Sequence, residues 1–145
     1  MITEQYISEN CLCYKMRSAS RTITRIYDEQ IKSTGIKANQ FSMLVAIKVM
    51  DSVSISSLAK QLMMERTTLT RNLAPLEKLQ LISIRAGEGR TRNVSLTSEG
   101  LQKVEDIKPL WKQAQQKIEN ALGQEESALL SNLSSIINNL AEKHI

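Results

Sequence analysis

The chain has 145 residues, enough for one domain with a substantial core, and a formal charge of +4 at neutral pH. Aromatic side chains make up only 3% of it, and the apolar content leans on Leu, Ile, Met and Ala, which favours helices. No apolar run exceeds five residues (Met43 to Ile47), so no membrane span is expected. The start, with Glu4 and Glu9, has no basic segment of the kind a signal peptide needs, and the expected compartment is the cytoplasm. The lone histidine, His144, and two cysteines supply neither a nucleophile–base pair nor a zinc cluster. Gly87-x-Gly89 lacks the third glycine and the helix start of a phosphate loop. An enzyme, a metal site and a cofactor are therefore not expected.

Residues 5–33 predict one long helix, with Leu12, Met16, Ala19, Ile23 and Ile26 at i, i+4, i+7, i+11 and i+14, stopped by Gly35. A helix of that length, polar on one side, needs a partner beyond its own domain's core. A second helix over 39–50, capped by Asn39, carries Phe41, Leu44, Val45, Ile47 and Val49 and reads as a central core element. Ser54 or Ser56 caps a short third helix with Leu58, Ala59 and Leu62. A fourth, over 66–79, aligns Leu69, Leu73 and Leu76 in one apolar stripe, which turns Arg66, Thr67, Thr68, Thr70 and Arg71 outward. Pro75 deletes the N–H that would bond the Arg71 carbonyl. It is either a tolerated kink at the solvent-facing end or a bend that aims Arg71.

The period then changes. Ile82 and Ile84, then Val94 and Leu96, alternate with polar residues as strands do, around a Gly-Glu-Gly turn at 87–89 flanked by Arg85, Arg90 and Arg92. Thr97 caps a long helix to about 122, with Leu101, Val104, Trp111, Ile118 and Leu122 on one face and a bend expected at Pro109. The last helix, about 125–142, carries Leu129, Leu130, Leu133, Ile136, Ile137 and Leu140. Neither terminal helix is expected in the core of the middle segment, and both expose apolar stripes that nothing else in the chain covers. Pairing with a second copy follows.

Charge is concentrated in the middle. Residues 60–92 hold seven cationic and three acidic side chains, an excess of four that equals the excess of the whole chain. Hydroxyls and guanidiniums on one helix face are the groups that bond base edges and phosphates. A polar-faced helix followed by a basic hairpin is a winged helix-turn-helix, and double-stranded DNA is its expected partner. The structural alternative is a solvated charged face.

These residues also resemble a known family. Leu58-Ala59, Thr70-Arg71, Leu73, Leu76-Glu77, Leu81-Ile82, Arg90 and Leu96-Thr97-x-x-Gly100 are similar, in this order and spacing, to the MarR family of winged-helix repressors, over nearly the whole chain. The resemblance implies a mainly α homodimer, with long N- and C-terminal dimerisation helices (1–35 and 101–145) flanking a winged lobe (36–100) with a small β-hairpin wing. It implies Arg90 as the wing arginine, with Glu88, where the family usually has aspartate, as its support. Where Gln80 stands the family usually has glycine, so mild strain is expected at that junction.

The resemblance also implies a signal. In the hydroperoxide-sensing branch a reactive cysteine sits near the start of the first helix, and Leu12-Cys13-Tyr14 is similar, with Arg17 where an activating tyrosine would stand. Alternatively, one of Cys11 and Cys13 is a small core residue and the other idle surface. Other relatives bind aromatic acids and phenols in a cleft between the dimer helices and the winged lobe, for which Tyr14, Met43 and Trp111 are candidate lining residues. Arg17, Arg21 and Arg25 form an i, i+4, i+8 line, either salt-bridged to Asp28, Glu29 or a partner subunit, or a cationic wall for an anionic effector. The expected function is a homodimeric, sequence-specific DNA-binding regulator, a repressor relieved by a small anionic or aromatic effector. The alternatives are an oxidant sensor using Cys13 and a winged protein-interaction module, whose face would be apolar where Thr67, Thr68 and Arg71 stand.

Overall fold

The computed structural model describes the backbone through His144 and the side chains through Leu140. Its elements run α1 (Glu4–Asn10), α2 (Leu12–Ile31), α3 (Ala38–Met50), β1 (Val53–Ser54), α4 (Ile55–Gln61), α5 (Arg66–Lys78), β2 (Ile82–Ala86), β3 (Arg92–Leu96), α6 (Ser98–Leu122) and α7 (Gln124–His144). The sheet is antiparallel in the order β1-β3-β2, with Ile82 opposite Leu96, and Ile84 and Val53 on either side of Val94. No helix among the described residues is long and apolar enough to cross a membrane.

Several boundaries differ from expectation. The long first helix is broken: Cys11 turns to an extended conformation, its backbone N–H still bonding Ile7 while its Sγ accepts from Tyr14 N–H at 3.5 Å to start α2. The two cysteines therefore do not share one regular helix. Helix α2 ends at Ile31 in a 3-10 turn, Lys32–Thr34, before Gly35. Asn39 does not cap α3. It lies inside the first turn, and the Ala38 N–H is instead held from outside by Asp28 Oδ1 at 2.7 Å, while Gln40 Oε1 accepts from Lys37 N–H. Of the two candidate serines, Ser54 caps α4, accepting from Ser57 N–H. Strand β1 was not foreseen, since two residues carry no readable period. Neither proline ends its helix. Pro75 and Pro109 are both exposed, which leaves the carbonyls that lose a donor open to water.

The core joins α3, α4, α5, the sheet and parts of the flanking helices. Leu44, Leu58, Leu69, Leu73, Leu76 and Val94 are fully buried in it. Ile31 at the end of α2 and Val104 and Ile107 in the first half of α6 belong to the same core. The expectation that the flanking helices stand apart from the lobe is thus corrected. The buried face of α6 is Gly100, Val104, Ile107 and Ala114, while Leu101, Trp111 and Leu122 stay exposed. A small set of contacts fixes how α6 leaves the wing. Thr97 N–H bonds the Leu81 carbonyl, Thr97 Oγ1 donates to the Gln80 carbonyl at 2.6 Å and accepts from Gly100 N–H at 3.0 Å. A Cβ on Gly100 would stand 1.9 Å from the Leu81 carbonyl oxygen, so only glycine permits this approach.

Candidate nucleic-acid interface and adjoining cleft

Helix α5 is held from below and bare above. Leu69, Leu73 and Leu76 have no solvent exposure, whereas Arg66, Thr67, Thr68, Thr70 and Arg71 are all exposed. The outward face forms because the leucine spacing leaves it no alternative. Thr70 differs from its neighbours in donating its hydroxyl to the Arg66 carbonyl at 2.9 Å.

Both helices of the pair α4 and α5 end the same way. Met63 N–H bonds Lys60 and Met64 N–H bonds Ala59, and Gln80 N–H bonds Glu77 while Leu81 N–H bonds Leu76. These are paired C-terminal closures that place one residue in the left-handed region. Here that residue is Met63 at φ 53° and Gln80 at φ 58°, neither a glycine. The positive φ expected to strain the junction at Gln80 is present, and Met63 repeats it before the other end of α5.

Beyond Gln80 the wing projects. Its turn is closed by Gly87 N–H on the Thr91 carbonyl and Thr91 N–H on the Glu88 carbonyl, with Gly89 at φ 61°. Arg85, Arg90 and Arg92 are exposed on it. Among the described residues none of Arg66, Arg71, Arg85, Arg90 and Arg92 enters an ion pair. Glu88 is included in that: its carboxylate does not hold Arg90, and its contribution to the wing is through its backbone carbonyl.

Behind α5 lies a cleft of about 490 Å³. Helix α2 contributes Ile23, Thr24, Tyr27 and Ile31, and the start of α3 contributes Asn39, Phe41, Ser42 and Met43. Leu62 and Met64 come from the turn before α5, Asn72 from α5 itself, and Trp111 from α6. Tyr27 and Trp111 stack with ring centroids 6.4 Å apart and planes at 21°. The Tyr27 hydroxyl donates to Gln115, and burial, with the Glu119 charge adding, raises its pKa above the usual phenol value.

Of the expected effector residues, Met43 and Trp111 line this cleft. Tyr14, Arg17, Arg21 and Cys13 do not: the α2 residues that face it begin at Ile23, and all four precede it. Arg17, Arg21 and Arg25 are exposed and form no ion pair among the described residues, since Glu29 pairs with Lys32 and Asp28 caps α3. Cys13 is a free, exposed thiol and Cys11 a half-buried one. No cluster of three metal-ligating side chains occurs among the described residues, and the His144 side chain lies outside them. Asn72 and Tyr27 were missed as lining residues. For Asn72 the readable signal was a polar residue bordering the Leu69-Leu73-Leu76 stripe rather than opposite it.

A two-helix turn with a bare polar second helix, backed by a three-stranded sheet whose hairpin projects, defines a winged-helix protein. Known proteins agree. The MarR family profile matches residues 36–93. The M. tuberculosis transcriptional regulator MosR, solved in complex with DNA, superposes with a TM-score of 0.83 at 30% identity, covering 92% of this chain and 98% of that one. The SarZ transcriptional regulator of Staphylococcus haemolyticus is 26% identical over 143 residues, 95% of this chain and 94% of its own. The organic hydroperoxide resistance transcriptional regulator of Bacillus subtilis is 29% identical over 94 residues, 63% of this chain and 64% of its own. The chain belongs to the MarR family of transcriptional regulators.

Proposed function

We propose that the protein is a homodimeric repressor that binds double-stranded DNA, places α5 in the major groove and the wing in the flanking minor groove, and is relieved by a small aromatic molecule in the cleft behind α5. The observation that carries the reading is the bare face of α5. Five hydroxyls and guanidiniums stand exposed over three leucines with no exposure, and neither arginine is neutralised. A face that recruits another protein would show apolar side chains at Thr67, Thr68 and Arg71. MosR, at 30% identity over almost its full length, was solved on DNA, which supports the same surface here. Homodimerisation is supported by the exposed apolar faces of α2 and α7.

The test separates the two elements. Arg71→Ala should change which operator bases matter, at a cost of about 1–3 kcal/mol for the preferred sequence. Arg90→Ala should weaken all sequences alike, soften any preference for A·T-rich flanks, and lower the salt slope by roughly one. Unchanged affinity of both variants for an operator pool across a salt titration would make this face a solvated surface and end the reading.

A second reading has one observation in its favour: the break at Cys11 leaves the Cys13 thiol exposed in the first turn of α2. As an oxidant sensor, the wild type should leave DNA on peroxide treatment while Cys13→Ser stays bound, with Cys11→Ser as control. Equal insensitivity of all three returns both thiols to packing roles.

A further inference from the structure

The cleft behind α5 is lined by no charged side chain, so Arg17, Arg21 and Arg25 form no cationic wall in it. Its polar groups are few and differ in what they have left to offer. Ser42 donates its hydroxyl to the Ala38 carbonyl at 3.0 Å, and the Tyr27 hydroxyl is held by Gln115. Asn39 Oδ1 accepts from Gln40 N–H at 2.9 Å, which leaves the Asn39 amide hydrogens free. Asn72 makes no side-chain hydrogen bond among the described residues, so its carboxamide offers both a donor and an acceptor.

The cleft is also poorly suited to an anion. The N-terminus of α3 borders it, and free N–H groups there would attract negative charge. Most of that end is already occupied: Asp28 Oδ1 takes the Ala38 N–H at 2.7 Å, Gln40 Oε1 takes the Lys37 N–H at 2.9 Å and Asn39 Oδ1 takes the Gln40 N–H at 2.9 Å, which leaves only the Asn39 N–H. A carboxylate entering the cleft would meet no cation on its walls, and a charge taken out of water without a partner is disfavoured. The walls favour a flat ligand. Tyr27 and Trp111 stack on one side, and Phe41 is a third aromatic ring on its lining.

We infer that this cleft selects a neutral, planar aromatic molecule bearing a carboxamide-like donor–acceptor pair, held by Asn72 on α5 and Asn39 on α3. The inference rests on the reading of the cleft as the effector site and supplies its chemistry and its route to the DNA face. Asn72 directly follows Arg71, and Leu62 and Met64 line the same cleft on either side of the strained Met63. A ligand that bridges Asn39 and Asn72 ties α5 to α3 and so selects one setting of the helix that presents Arg71. DNA affinity changes by the difference in ligand affinity between the two settings.

Trp111 is the only tryptophan and lines the cleft, so its fluorescence reports binding, and the Asn72→Leu variant ties the signal to this cleft rather than to the neighbouring one that Trp111 also borders. The probes are para-propylbenzamide and para-propylbenzoate, near-isosteres that differ in charge. In the wild type at neutral pH the amide should quench saturably and bind about tenfold or more tightly than the carboxylate. Asn72→Leu should weaken the amide about fivefold, as loss of one neutral hydrogen bond does. Thr24→Lys, which places a cation on the α2 wall, should reverse the preference. Carboxylate binding equal to or tighter than the amide in the wild type overturns the inference, as does the absence of saturable quenching by either. The same titration with operator DNA present separates the two claims. Selective amide binding that leaves DNA affinity unchanged sinks the effector reading and upholds the ligand class. Equal release of DNA by both probes upholds the effector reading and overturns the ligand class.

Discussion

Helices α5 and α7 are both amphipathic, yet they treat their apolar faces in opposite ways. In α5 the three leucines are wholly buried and only polar groups reach solvent. In α7 six Leu and Ile side chains, Leu129 through Leu140, remain between 38% and 56% exposed, and its packing within the chain is against α6. The lobe around α5 completes its own core, whereas α7, with the exposed Leu12, Met16 and Ile26 of α2, does not. Each half-exposed Leu or Ile has about 1 kcal/mol still to gain from burial. The polar face of α5 is therefore a surface meant for water and a charged partner. The apolar face of α7 is one that the proposed homodimer would cover.

The largest effect should come from removing that apolar face. If the proposed homodimer forms, the intact chain should sediment as a dimer at micromolar concentration, and deleting residues 125–145 should give an aggregating or unfolded product, read by sedimentation and circular dichroism. A soluble, well-folded monomer from the truncation would show that the exposed stripes of α2 and α7 need no partner, and the contrast with α5 would lose its meaning. Next in size is a break inside the self-sufficient lobe. Gly100→Ala drives a methyl group into the Leu81 carbonyl and parts Thr97 from the end of α5, so about 3 kcal/mol of stability should be lost. A thermal midpoint within a degree or two of wild type would mean that α6 can slide without cost.

The α5–wing lobe and the cleft behind it were unequally legible in the sequence. The leucine stripe of α5, the alternation across the wing and the Leu-Thr-x-x-Gly join are periodic or local features, and all three stand where the pattern put them. The cleft was only half readable. Met43 and Trp111 line it, but its other walls come from α2, the turn before α5 and Asn72, which meet through packing rather than through any spacing. Arg17, Arg21 and Arg25 form a conspicuous line in sequence, yet a line on one helix does not say which neighbour it faces. The break at Cys11 was hidden because the apolar period continues across it, and the capping of α3 by Asp28 was hidden because its ten-residue separation leaves no local signature.

A smaller effect with the opposite sign sharpens the view of how α5 is held. Met63 and Gln80 both occupy the left-handed region, which costs a residue with a Cβ about 1–2 kcal/mol, part of which glycine gives back through its greater unfolded freedom. Met63→Gly and Gln80→Gly should each raise stability by roughly 0.5–1 kcal/mol, measured by urea titration with an unchanged m-value. Destabilisation by Gln80→Gly would mean that its side chain supports the wing junction, and the strain account of both turns would fail with it.

The smallest effect falls on the seam between the lobe and α6. Glu105 is bonded by Lys108 at 2.7 Å and by Lys48 reaching over from α3, and these hydrogen bonds, Lys108 first, lower its pKa to about 2. A folded-state pKa below the unfolded one contributes stability that is fully present above the ordinary glutamate range and disappears as pH falls through about 2. All three side chains are open to solvent, so screening keeps the contribution small. Glu105→Gln should lower the thermal midpoint at pH 7 by on the order of 2 °C or less. The gap should narrow below the ordinary glutamate range, close near pH 2, and shrink at neutral pH in high salt. A gap that persists undiminished as pH falls through about 2 would assign the effect to packing of α3 on α6 rather than to charge, since a protonated Glu105 and a glutamine carry the same charge and differ only in shape.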